Sequence, residues 1–122
     1  MRQLLSLATL LALQLATTSL QAKEQLTIYT YDSFASDWGL GPKIKQAFEK
    51  ECGCQIEFVP LEDGVAILNR LKLEGKRTKA DLVIGMDEAM LSEARKSQLF
   101  AEHGVDLSPL ALPGGWQDKT FL

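Results

Sequence analysis

The run Leu26-Thr27-Ile28-Tyr29-Thr30-Tyr31-Asp32-Ser33-Phe34-Ala35-Ser36-Asp37-Trp38-Gly39-Leu40-Gly41-Pro42 changes character halfway along. Its first six residues alternate, with β-branched and aromatic side chains prominent, as a half-buried strand requires. A loop crowded with aromatic rings and carboxylates follows. Pro42 then opens a helix, because its fixed φ and missing N–H suit a first helical turn. Strand, loop and helix in that order are the first half of a β-α-β unit.

The same grammar repeats downstream. Ile56-Glu57-Phe58-Val59 alternates like the first strand, and Asp81-Leu82-Val83-Ile84-Gly85 is a nearly continuous apolar run ended by glycine. Between and after these strands lie three helical patterns. The first has Ile44, Ala47 and Phe48 on a common face; the second has Val65, Leu68 and Leu71 on one face and Gly75 as its stop. The third starts at Asp87 and carries Met90, Leu91 and Ala94. The gaps between strands are long enough for helical crossovers. The expected fold class is α/β, with a parallel sheet covered on both faces and right-handed connections. There is no internal repeat and no low-complexity linker.

The first residues read as an address. Arg2 precedes an apolar run from Leu4 to Ala16, and Thr17-Thr18-Ser19-Leu20-Gln21-Ala22 is small and polar, so residues 1–22 are expected to be a cleaved signal peptide. Leu20 is bulky for a position just before the cut, which keeps cleavage after Ala16 or Ser19 as an alternative. The apolar run spans roughly 13 residues, short of the ~20 that a membrane-crossing helix needs. No cysteine lies near the cut to take a lipid, so a soluble periplasmic product is expected rather than a lipoprotein. Of 13 basic and 16 acidic residues, removal of the leader takes one cation, Arg2, and no acid, moving the formal charge from −3 to −4. The remaining cations are scattered among acids, which argues against nucleic acid as a partner. The 100 residues left suffice for one modest core. Gly114-Gly115 and the segment to Leu122 read as a turn and the start of an extended stretch, so residues 23–122 are expected to be an incomplete domain.

In an open α/β sheet, ligands bind beyond the carboxyl ends of the strands, where loops meet helix N-termini. Three loops qualify: 31–42, Pro60-Leu61-Glu62-Asp63-Gly64, and Gly85-Met86-Asp87-Glu88. Four rings fall between Tyr29 and Trp38; they either pack on the domain or line a pocket. Tyr31 and Trp38 are the better pocket candidates, while Tyr29, deeper on the same sheet face, is better placed for the core. Aromatic faces suit a flat heterocycle or an organic cation. Asp63 stands where a helix begins. It can cap that helix, contact a ligand, or do both, and Gly64 lets a ligand approach N–H groups suited to an anion.

At these residues the sequence resembles a known family. Tyr29-Thr30-Tyr31-Asp32-Ser33-Phe34 with Ser36-Asp37-Trp38-Gly39, Leu61-Glu62-Asp63-Gly64-Val65 with Leu68-Asn69-Arg70-Leu71, Lys79-Ala80-Asp81-Leu82-Val83-Ile84-Gly85, and Pro113-Gly114-Gly115-Trp116 are similar, in order and spacing, to the periplasmic thiamine-binding proteins of ABC transporters. The resemblance implies a type II periplasmic binding protein-like fold, three-layered, with two α/β lobes joined by a hinge; this chain would be part of the first lobe, lacking hinge and second lobe. It implies thiamine, thiamine monophosphate or thiamine diphosphate as ligand. The partners it implies are an inner-membrane permease and its cytoplasmic ATPase, with the binding protein a monomer. Carried over residue by residue, it implies ligand contact at Asp63 and Gly64 and at Tyr31 and Trp38.

Cys52-Gly53-Cys54 in an exported protein is a candidate disulfide closing a very small loop. Two cysteines and the isolated His103, read as an exposed residue before a turn at Gly104, give no metal site, and no cofactor is expected. An enzyme finds little support: Gly39-Leu40-Gly41 is a lone Gly-x-Gly, with no Gly-x-Ser-x-Gly and no Cys-His pair. A closer rival is the same fold with another ligand, namely ferric ion, a polyamine or a phosphonate. Ferric ion gives no role to Trp38, and a polyamine calls for more acids around Asp63.

Overall fold

A computed structural model describes residues 24–122; the expected signal peptide lies outside the described residues. The first strand, β1 (Gln25–Tyr31), is followed by a short helix α1 (Asp32–Ala35) and by α2 (Gly41–Cys52). Then come β2 (Gln55–Leu61), α3 (Gly64–Glu74), β3 (Leu82–Val83) and α4 (Leu91–Ser97). All pairing is parallel, in the order β2-β1-β3. The α/β class and the alternation of elements are as expected. Helix α1 was not: the loop after β1 holds a turn of helix whose Phe34 is buried.

Strand β1 lies between its neighbours, in register with β2 from Gln25 opposite Gln55 to Tyr31 opposite Leu61. Pro60 in β2 faces Thr30. A proline, lacking an N–H, is tolerated there because β2 is an edge strand with a partner on one side only. Strand β3 is shorter than the apolar run 81–85 foretold. Gly85, at φ 111°, turns the backbone out of the ladder directly after Ile84, whose N–H donates to the Tyr29 carbonyl over 2.9 Å. At the other end Asp81 pins the strand twice: its N–H donates to Thr27 O (2.9 Å), and its carboxylate accepts from Thr27 N–H (2.8 Å).

Side-chain alternation sorts the sheet into two faces. On one, Tyr29 with Val59, Leu61 and Val83 packs against Ile67 and Leu71 of α3. On the other, Phe58 meets Phe34 edge-on at 5.7 Å between centroids, and Ile28 and Ile56 are buried. Each buried Ile or Leu contributes about 1.5–3 kcal/mol, so these clusters hold the sheet to its helices.

Two helix faces depart from expectation. In α3 the buried residues are Gly64, Ile67, Leu68 and Leu71, while Val65 is 55% exposed. At 100° per residue Val65 sits roughly 120° around from Leu71, outside the stripe that Ile67 and Leu68 centre. In α2 the expected inner face is outward: Ile44, Ala47 and Phe48 are all exposed, and α2 meets the body of the domain through Gly41 at its start. The helical pattern was right and its burial was not. The third helix starts as a short 3₁₀ turn, Glu88–Met90, and the Asp87 side chain does not cap it.

The last segment returns to the domain without forming a strand among the described residues. After a turn in which Gly115 N–H donates to Leu112 O (3.0 Å), Phe121 is buried with Leu68 and Ala94. Arg95 holds that end, its guanidinium 5.0 Å from the Phe121 ring centroid and its Nη2 paired with Asp118. His103 is half-buried rather than exposed. Its Nδ1 accepts from Val105 N–H (2.9 Å), so Nε2 carries the proton and donates to Asp118 O (3.1 Å).

Tyr29 carries the one polar group of the inner core cluster, and that group is satisfied. Its hydroxyl donates to both carboxylate oxygens of Glu74 (2.9 and 3.1 Å), Arg70 Nε donates to the same carboxylate (2.8 Å), and the Arg70 guanidinium lies 4.7 Å from the Tyr29 ring centroid. The Arg70 hydrogen bond foremost, then that of Thr78, holds the Glu74 carboxyl below its ordinary 4.5. A depressed carboxyl pKa stabilises the fold above the unfolded value, and that stability is lost as pH falls through the folded one. Glu74→Gln is therefore expected to lower stability by about 1 kcal/mol at pH 7. The gap between the two proteins should close as pH drops below 4.5, read from melting temperatures across a pH series; a gap that stays constant rules the linkage out.

Candidate functional site

The carboxyl ends of β1, β2 and β3 bring the three expected loops together, and two glycines make the meeting possible. At Gly64 a Cβ would fall 2.5 Å from the Gly85 carbonyl oxygen and 2.5 Å from Met90 Cε. At Gly85 a Cβ would fall inside the ring edge of Tyr31, 2.7 Å from Cε1 and closer still to Cδ1. Tyr31, Gly85 and Gly64, from three separate loops, thus lie in one contiguous row with Met90 beside it. Only residues without a side chain permit backbones and a ring this close.

Asp63 is the N-cap of α3. Its backbone is extended, its Oδ1 accepts from Ala66 N–H (2.7 Å) and its carbonyl accepts from Ile67 N–H (3.0 Å). The structural half of the expectation is met in this way. The carboxylate is exposed, and hydrogen bonds among the described residues use only Oδ1. Nor do such bonds engage the N–H groups of Gly64 and Val65 at the head of an 11-residue helix. The edge therefore offers an acceptor carrying negative charge and, beside it, two donors at the positive end of a helix.

Tyr31 is half-buried, its ring 5.8 Å from that of Phe34 at a 56° tilt. One ring edge is seated on Gly85. Trp38 stands apart: it is 79% exposed on the loop before α2. The geometry joins Tyr31 to Gly64, and through it to Asp63, and leaves Trp38 outside that row. Sequence reasoning singled out the loop 85–88 without giving Gly85 a role in the site, and read Met90 only as part of the apolar face of the third helix. The available signal was a glycine directly after a strand, on the same edge as Asp63-Gly64.

The sulfurs of Cys52 and Cys54 are joined, with Cα atoms 5.2 Å apart, and Gly53 between them is in the left-handed conformation at φ 66°. This closes α2 and turns the chain into β2, at the end of the sheet opposite the site. No group of three or more His, Cys, Asp or Glu side chains among the described residues is arranged to hold a metal ion. No helix among them is long and apolar enough to cross a membrane.

No family model matches the chain. Individual proteins do. The thiamine-binding periplasmic protein of Escherichia coli K12 is 53% identical over 110 residues, 90% of this chain and 34% of its own length. That of Brucella abortus is 56% identical over 102 residues, 84% of this chain and 30% of its own. A solved structure described as a periplasmic thiamin binding protein superposes with a TM-score of 0.76 at 55% identity, over 81% of this chain and 31% of that one. The fold is thus that of a periplasmic binding protein. Within that class the chain is a homologue of the thiamine-binding periplasmic proteins, and it spans about a third of the length of the curated relatives it matches.

The double role open to Asp63 separates by substitution. Asp63→Ala removes the cap and is expected to cost about 1 kcal/mol in urea unfolding, whereas Asp63→Asn keeps an acceptor and loses a few tenths at most. Equal losses in the two variants would mean that charge, not capping, stabilises α3.

Proposed function

We propose that this protein binds thiamine or its mono- or diphosphate in the periplasm and delivers it to an inner-membrane ABC permease driven by a cytoplasmic ATPase. The observation that carries the reading is the row at the carboxyl edge: an exposed carboxylate with an unused oxygen, two helix-head N–H groups with no hydrogen-bond partner among the described residues, and an aromatic ring within one contiguous set of contacts. Thiamine has the matching chemistry. Its aminopyrimidine can donate to Asp63 Oδ2, its thiazolium cation and flat rings suit the face of Tyr31, and a phosphate suits the N–H groups of Gly64 and Val65. The names of relatives more than half identical support the same ligand.

The described lobe is one wall of the site, and a second lobe across a hinge supplies the other. Trp38, exposed here, then stands at the rim, available to a ligand or to the opposing lobe. Binding and release, not turnover, is the role, and the protein acts as a monomer. Cys52 and Cys54 are oxidised in the periplasm: thiol titration of the denatured, unreduced protein is expected to find none, and two free thiols would sink that assignment.

Calorimetric titration of thiamine and thiamine diphosphate into the mature whole protein tests the ligand. Asp63→Asn, which spares the cap, is expected to weaken binding by about tenfold or more, the cost of losing a charged hydrogen bond. Trp38→Ala is expected to weaken it less. Tight binding indifferent to Asp63 would move the site away from this edge. No heat with any thiamine form, together with heat from ferric ion, a polyamine or a phosphonate, would overturn the ligand.

A further inference from the structure

We propose that Gly85 is the positioning residue of this site, and that its lack of a side chain sets where the Tyr31 ring meets the ligand. The inference rests on the reading of the site just given. Gly85 is the middle of the row: the Tyr31 ring edge occupies the place of its missing Cβ, and its carbonyl oxygen lies against Gly64. Its φ of 111° aims it there, in a region that glycine alone enters freely. Tyr31 also neighbours Phe34, with ring centroids 5.8 Å apart, and Phe34 is buried against Phe58. The ring thus has a fixed backbone at one edge and a core side chain as a neighbour. A methyl at position 85 has no free volume: either the ring swings off the edge or the 85–88 loop lifts away from Gly64. Both outcomes separate the aromatic face from Asp63 and the N–H groups at the head of α3, without altering the chemistry of any of them.

The effect runs through one ring, so a double-mutant cycle isolates it. Thiamine is titrated into the mature whole protein and into Gly85→Ala, Tyr31→Ala and the double variant, with Tyr31→Phe and Tyr31→Phe/Gly85→Ala as a second pair. Gly85→Ala is expected to weaken binding by about tenfold, within the span of measured pair couplings. Gly85→Ala should cost less in the Tyr31→Ala background than alone, because no ring remains to be displaced and only the backbone strain at φ 111° is left, while the Phe pair keeps the full loss. Losses that multiply in the double variant, or a Gly85→Ala protein within about twofold of the parent, would overturn the proposal. Melting temperatures of the ligand-free proteins give a second reading. If Gly85→Ala does not fold, recovery of folding in the Tyr31→Ala background upholds the steric link, and failure to recover overturns it. An unaltered protein that binds no thiamine would overturn the ligand reading, and this inference with it, whereas binding with independent losses would remove this inference alone.

Discussion

Strand β1 is hydrogen-bonded along both edges, to β2 through its whole length and to β3 through its middle, and every pairing is parallel. Parallel pairing sends all three strands the same way, so their carboxyl ends, and the loops that leave them, share one edge of the sheet. The helices that bring the chain back must lie on the faces, which is why α3 covers Tyr29 and Val83 while Phe34 of α1 covers Phe58. Everything that resembles a binding site here follows from that constraint. A single antiparallel strand would carry one of the three loops to the opposite edge.

Proximity alone does not make a site; the loops have to fit. Their fit depends on two missing side chains. Gly64 admits the Gly85 carbonyl and Met90, and Gly85 admits Tyr31. The same edge then gathers groups of opposite character, a carboxylate half used by capping and N–H groups at a helix head. The Asp63 cap uses half of its carboxylate: of the two oxygens, Ala66 engages one. Away from the site the domain is closed by unremarkable means, with Glu74 satisfying the buried Tyr29 hydroxyl and Phe121 capping the cluster of Leu68 and Ala94.

Where burial departed from the sequence pattern, the cause is geometric. Helix α2 has a recognisable apolar stripe, yet its Ile44, Ala47 and Phe48 remain exposed. Periodicity states that a face exists and says nothing of what lies opposite. Val65 joined a pattern of threes by its number and left it by its angle. His103 looked isolated along the chain, but its partners, Lys119 and Asp118, are brought to it only by the return of the final segment.

Local rules operate over a few residues, and they determined much of this protein from its sequence alone. Strand alternation, the proline at the start of α2, the Asp63-Gly64 head of α3 and the Gly75 stop are all set by near neighbours, and with the chain order they imply a parallel α/β sheet with its site at the carboxyl edge. The resemblance of the aromatic loop and the Asp63-Gly64 segment to thiamine-binding proteins was legible for the same reason: it is carried by contiguous residues. Only the tertiary structure decided which of these residues meet. That Tyr31 rests on Gly85 and Gly85 on Gly64 depends on distances between segments more than twenty residues apart in the chain, and that Trp38 stands outside this row follows from the same packing, which no local pattern encodes.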